Sequence, residues 1–124
     1  MKRILIIEDD KSQKMVYQYW FSENYLLDLC DNISDAFLLL KKKGYDVILL
    51  DLHLGEFESG FSLLEKLKTQ NLVKPKVIVV SAYLDSLKEL TAKEKENIVW
   101  LDKEEATQER LIKEMGLKED NQQT

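Results

Sequence analysis

Glu8, Asp9 and Asp10, then Asp51, Ser81 and Lys103, are the side chains of this 124-residue chain whose types and placement suit chemistry, because each group follows a short apolar run. If the carboxylates converge they repel, each close pair by roughly 4 kcal/mol at an effective dielectric near 20. A fold keeps such a cluster only with compensating charge. Lys103 supplies one positive charge, and a hard divalent cation bound through oxygen supplies the rest. Two or three carboxylate or carbonyl oxygens, with water in the remaining positions, suit Mg²⁺ (or Mn²⁺). The chain has a single His and a single Cys, so a zinc site is not expected. Asp10 fits a helix start favoured by the dipole better than it fits a metal ligand.

The elements that must position these groups follow from the apolar pattern. Ile4-Leu5-Ile6-Ile7, Val47-Ile48-Leu49-Leu50, Lys76 to Val80 and Ile98 to Leu101 are short runs of the kind expected of buried parallel strands. Tyr25 to Cys30 is a second, less regular strand. Between the strands the apolar spacing turns helical. Asp10 or Ser12 caps a first helix with Met15, Val16, Tyr19 and Trp20 on its inner stripe. Asn32 and Asp35 form a capping pair ahead of Ile33, Ala36, Phe37 and Leu40, and Gly44 closes that helix. Its last residues, Lys41 to Lys43, complement the helix dipole rather than mark a binding patch.

The polar stretch from Gly55 to Gly60 leads into a helix carrying Phe61, Leu64 and Leu67, and Pro75 marks the break before the next strand. Leu84, Leu87 and Leu90 suggest a fourth helix. Glu105 to Met115 is a closing helix with Leu111, Ile112 and Met115 inward. Five β-then-α units imply an α/β fold, a mostly parallel sheet with helices on both faces. Ligands of such sheets bind beyond the carboxyl ends of the strands, and that is where the reactive residues fall.

Bulk properties narrow the classes further. The length suits one domain, expected over residues 1–118, with a polar tail at 119–124. A net charge of -5 argues against non-specific nucleic-acid binding. Cys30 has no partner for an internal disulfide and reads as a small core residue in a reducing compartment. No apolar run approaches a membrane span, and the N-terminus lacks a cleavable signal pattern, so a cytoplasmic protein without a membrane partner is expected.

The acidic pair after strand one, the Asp after strand three, Ser81-Ala82 after strand four and Lys103 after strand five resemble the receiver domain of bacterial two-component response regulators. The resemblance runs to about residue 116, with five positions in order, each at a strand end. It implies a flavodoxin- or CheY-like fold, five parallel strands in the order 2-1-3-4-5. It also implies that Asp51 accepts a phosphoryl group from a phosphohistidine on a sensor histidine kinase or a His-phosphotransfer protein. Asp9 would bind Mg²⁺ directly and Glu8 through water, with Asp51 and the backbone carbonyl of His53 completing the protein ligands. Ser81 would bind a phosphoryl oxygen and move toward it, and Lys103 would pair with the same group. A carboxylate is a competent nucleophile toward phosphorus when its charge is offset, and phosphoryl transfer otherwise needs positioning and neutralisation.

On this reading the protein catalyses its own phosphorylation, and in some cases its dephosphorylation, without turning over a small substrate. It signals by protein contact or phosphorelay through the face formed by the fourth helix, fifth strand and fifth helix, about residues 84 to 115. The initiating Met and polar tail lead us to expect a stand-alone domain. Trp100 is either an aromatic that turns inward on activation or a sheet-edge ring packed in place. The His53 side chain is expected near the site mouth, where it would influence the access of water.

Two features depart from the family. Glu104 follows Lys103 where a Pro is usual, which bears on the pose of Lys103. The loop from Leu52 to Gly60 lacks the frequent Pro and is one residue longer before its Gly, which bears on the kinase surface recognised. They motivate an alternative, a receiver-like interaction module that works without phosphate. Phosphatases of the haloacid-dehalogenase type would want an Asp where His53 stands, and a flavin phosphate would be repelled by Glu8-Asp9-Asp10.

Overall fold

The apolar runs form one five-stranded sheet in the order β2-β1-β3-β4-β5, with every neighbouring pair parallel. The strands are β1 (Arg3–Ile7), β2 (Leu26–Cys30), β3 (Val47–Leu52), β4 (Lys76–Ser81) and β5 (Ile98–Asp102). The computed structural model describes residues 1–52, 62–63, 65–67, 75–82 and 98–116. The expected Gly55–Gly60 loop, His53, Phe61, Leu64, the fourth helix with Leu84, Leu87 and Leu90, and the polar tail lie outside the described residues.

Strand alternation sends neighbouring side chains to opposite faces, and helices cover both. On one face Leu5, Ile7, Ile48, Leu50 and Val79 pack with Ala36, Leu63 and Leu67. On the other, Ile4, Ile6, Leu49, Ile78 and Val80 pack with Tyr17, Phe21, Leu111 and Met115. β3 is buried along its whole length, as its position at the centre of the sheet requires, whereas β2 at the edge mixes exposed and buried positions.

Helix α1 (Lys11–Phe21) begins where Asp10 accepts the backbone N–H of Gln13 at 3.0 Å. Its inner stripe is not the expected one. Tyr17 and Phe21 are buried, whereas Met15, Val16 and Tyr19 are exposed and Trp20 is half-buried. Apolar side chains at 15, 16, 17, 19, 20 and 21 surround much of the helix, so their spacing alone leaves its rotational phase undecided.

Helix α2 (Ile33–Lys42) starts at the expected pair, with Asn32 accepting the N–H of Asp35 at 2.8 Å. Its end differs from expectation. Lys43 is extended and its N–H still bonds Leu39, so the chain leaves the helix before Gly44, which does not take the left-handed conformation. Residues 62, 63 and 65 to 67 are helical and place Leu63 and Leu67 in the core.

The closing helix, α3 (Gln108–Met115), starts three residues later than expected. Residues 103–105 form a turn in which the N–H of Glu105 bonds the carbonyl of Asp102 at 2.9 Å, and Thr107 then caps the helix by accepting from Arg110 at 3.1 Å. Leu111 and Met115 are buried and Ile112 half-buried. The helix ends at Gly116, whose φ of 75° suits a residue without a Cβ. Lys2 and Lys76 donate to the carbonyls of Met115 and Glu114 at 2.9 and 2.7 Å, complementing the negative end of the dipole. No helix among the described residues is long and apolar enough to cross a membrane.

Candidate functional site

Among the described residues, the buried polar or charged side chains are Glu8, Asp51 and Ser81, and all three stand at the carboxyl ends of strands. Parallel pairing makes this one place. Ile7 of β1 is level with Leu50 of β3, so the next residues, Glu8 and Asp51, emerge side by side. Ser81 closes β4, level with Leu52 of β3 and Asp102 of β5. Glu8, Asp9, Asp31, Asn32 and Asp51 help to line a common cleft of about 80 Å³. Asp9 is exposed at its mouth.

The Asp51 side chain is wholly enclosed, and each of its oxygens has a donor. Lys103, in the turn after β5, reaches across β4 to place Nζ 2.5 Å from Oδ1. The Tyr17 hydroxyl donates to Oδ2 at 2.6 Å. At the rim Lys14 pairs with Asp31. The hydrogen bond to Asp31 is the main reason that the Lys14 ammonium is held above its ordinary range, and Glu8 adds to it. Beside the cleft, burial pushes the Cys30 thiol up to about 11, which leaves it a protonated core residue rather than a nucleophile.

Of the residues expected to act together, the structure gathers Glu8, Asp9, Asp51, Ser81 and Lys103 at one end of the sheet; His53 lies outside the described residues. Glu104 after Lys103 does not prevent the lysine from reaching Asp51. The Trp100 ring is half-buried and packs against the Leu5 face of the sheet. No group of three or more acidic, His or Cys side chains among the described residues forms a ready cage for a metal ion. The donors are nonetheless of the right kind for Mg²⁺ or Mn²⁺, hard carboxylate oxygens in a cleft open to water, which completes the shell of such ions.

Tyr17 is the site residue that reasoning from the sequence missed, since it lies on a helix and not at a strand end. The signal was present. With Asp10 as the cap, Gln13, Tyr17 and Phe21 recur every four residues along one stripe, and the first two fall nearest the strand ends.

Comparison with known proteins follows this geometry. The response regulator receiver domain family matches residues 4–115 of the chain. No curated protein matches it in a sequence comparison. Among solved structures, the receiver domain of the Francisella response regulator 1452 is 26% identical with a TM-score of 0.73, covering 93% of each chain. A CheY-like receiver domain from Methylobacillus flagellatus is 20% identical with a TM-score of 0.74, covering 94% of this chain and 99% of that one. A response regulator from Burkholderia pseudomallei, solved with a phosphorylated aspartic acid, calcium ion and citrate, is 22% identical with a TM-score of 0.74, covering 94% of this chain and 67% of that one.

Proposed function

This chain belongs to the family of response regulator receiver domains, and we propose that it is a phosphorylation-dependent switch whose acceptor is Asp51. Receiver domains are signalling domains that in general work with histidine kinases or phosphotransfer proteins and bind Mg²⁺ at an acidic pocket. The observation that carries the specific assignment is the buried Asp51 carboxylate, 2.5 Å from the Lys103 ammonium and beside buried Glu8. A carboxylate stays charged in such surroundings only if it is paired, and the pairing leaves it available as a nucleophile. The phosphorylated aspartic acid and calcium ion of the Burkholderia pseudomallei structure are consistent with this use of the fold.

In the step, an Asp51 oxygen forms a bond to phosphorus while the bond from phosphorus to the donor's imidazole nitrogen breaks and its electron pair leaves with the imidazole. Lys103 balances the charge that gathers on the phosphoryl oxygens. Ser81, at the end of the neighbouring strand, offers a hydroxyl to one of them, and Ala82, exposed beside it, leaves the approach open. Glu8, Asp9, Asp51 and the carbonyl of His53 would hold Mg²⁺ or Mn²⁺. When bound, that ion neutralises the carboxylates and draws charge from the transferred group. The new phosphoryl group adds charge and acceptor oxygens at the strand ends, and the response passes to partners through the face built from about residues 84 to 115. The domain acts on itself and is not a turnover enzyme.

The test is to incubate the chain with acetyl phosphate and Mg²⁺ and weigh it intact. We expect one phosphoryl adduct on the wild type and none on Asp51→Asn. A wild type that takes up no phosphoryl group would favour the alternative of a phosphate-independent interaction module, which Glu104 and the altered loop after Asp51 motivate. An undiminished adduct on Asp51→Asn would move the acceptor elsewhere.

A further inference from the structure

Both oxygens of the acceptor carboxylate are engaged, and the two donors are unlike each other. Lys103 brings a charge from a strand-end turn. Tyr17 brings a neutral hydroxyl from the inner stripe of α1, 1% exposed, 2.6 Å from Asp51 Oδ2. Its ring is fixed from two sides, stacked on Phe21 at 6.1 Å and meeting Trp20 edge-on at 6.0 Å. In this contact the phenol is the donor and the carboxylate the acceptor.

A donor on a carboxylate oxygen occupies a lone pair and withdraws electron density from the group. Metal ligation and attack on phosphorus both draw on those same lone pairs. We propose that Tyr17 is a positioning residue that holds Oδ2 of Asp51 in the resting protein and competes with the divalent cation for that oxygen. It thereby sets the affinity of the acidic cleft and couples cation binding to a movement of the phenol on α1. The proposal rests on the reading of Asp51 as acceptor and cation ligand. Each carboxylate oxygen has more than one lone pair, so the competition weakens cation binding without abolishing it.

The full chain and its Tyr17→Phe variant, which keeps the ring and its packing, are titrated with MgCl₂ by calorimetry. Loss of a hydrogen bond to a charged acceptor predicts tighter binding by Tyr17→Phe, on the order of ten-fold. A second readout needs no variant. As Mg²⁺ saturates the wild type, a tyrosine difference spectrum in the near ultraviolet should grow as the phenol loses its charged acceptor, and Tyr17→Phe should not show it. Equal or weaker Mg²⁺ binding by the variant, no binding by either protein, or a wild type saturated without a tyrosine signal would each overturn the proposal. Acetyl phosphate separates the two levels. If an Asp51 adduct forms while the Mg²⁺ affinities are equal, only the role of Tyr17 falls; if no adduct forms and neither protein binds Mg²⁺, the phosphorylation reading falls with it.

Discussion

Lys103 and Tyr17 share the Asp51 carboxylate, but they matter to folding for different reasons. The Lys103 ammonium offsets a wholly enclosed negative charge that stands beside Glu8, while its own side chain is 33% exposed. Removing one partner of a buried pair costs about 3–5 kcal/mol because the other charge is left uncompensated. Solvent around Lys103, and the Tyr17 hydroxyl that remains on Oδ2, reduce that to about 1–3 kcal/mol here. Lys103→Met should therefore lower stability by that amount in urea unfolding. The double variant Asp51→Asn with Lys103→Met should recover most of the loss, because it removes the charge that needed a partner. A double-mutant cycle isolates this coupling, and additive effects would mean that the short contact contributes nothing to the fold.

At the scale of elements, what decided legibility was whether a local rule and the tertiary environment pointed the same way. β1, β3 and β4 are continuous apolar runs buried on both faces, so composition alone located them. α2 was readable because Asn32 and Asp35 cap it and one stripe of Ile33, Ala36, Phe37 and Leu40 meets the sheet. α1 was readable in extent but not in rotation, since apolar residues surround much of it, and that is why Tyr17 was not connected with Asp51. α3 starts later than expected because residues 103–105 form a turn, in which the Glu105 carboxylate accepts the N–H of Asp102 at 3.0 Å. The true cap is Thr107. Thr107→Ala removes the acceptor for the Arg110 N–H and should destabilise the protein by about 1 kcal/mol. Thr107→Ser, which keeps the hydroxyl, should stay near wild type in the same urea titration. Equal losses in both variants would assign the effect to packing instead of capping.

Over the whole molecule, order and direction of the strands follow from apolar runs alternating with helices, and the site follows from reading across their ends. The pattern could not show how much of the molecule depends on neutral buried phenols. Tyr25 donates to the carbonyl of Gly116 at 3.1 Å, tying the start of β2 to the end of α3, and Tyr45 donates to Asp28 at 2.7 Å. With Tyr17 they share one electrostatic property: burial, the largest cause in each, raises the phenol above its ordinary value near 10. The sign of the consequence is fixed. A group whose folded pKa is raised stabilises the fold fully below the unfolded value, and the contribution is lost as pH rises through the interval above it. Between about pH 10 and the folded value, the unfolded chain releases a proton that the native state retains. Stability then falls by up to about 1.4 kcal/mol per pH unit for a fully enclosed tyrosine such as Tyr17. Tyr25 and Tyr45 contribute less, because their hydroxyls lie in part-buried surroundings. Tyr17→Phe should be the less stable protein at pH 8, having lost a hydrogen bond, but its stability should decline less steeply above pH 10. The urea midpoints of the two proteins should therefore converge between about pH 10 and 11.5. Lysine titration is common to both and drops out of the difference, so parallel curves through that interval would mean that Tyr17 ionises as freely in the folded protein as in the unfolded chain.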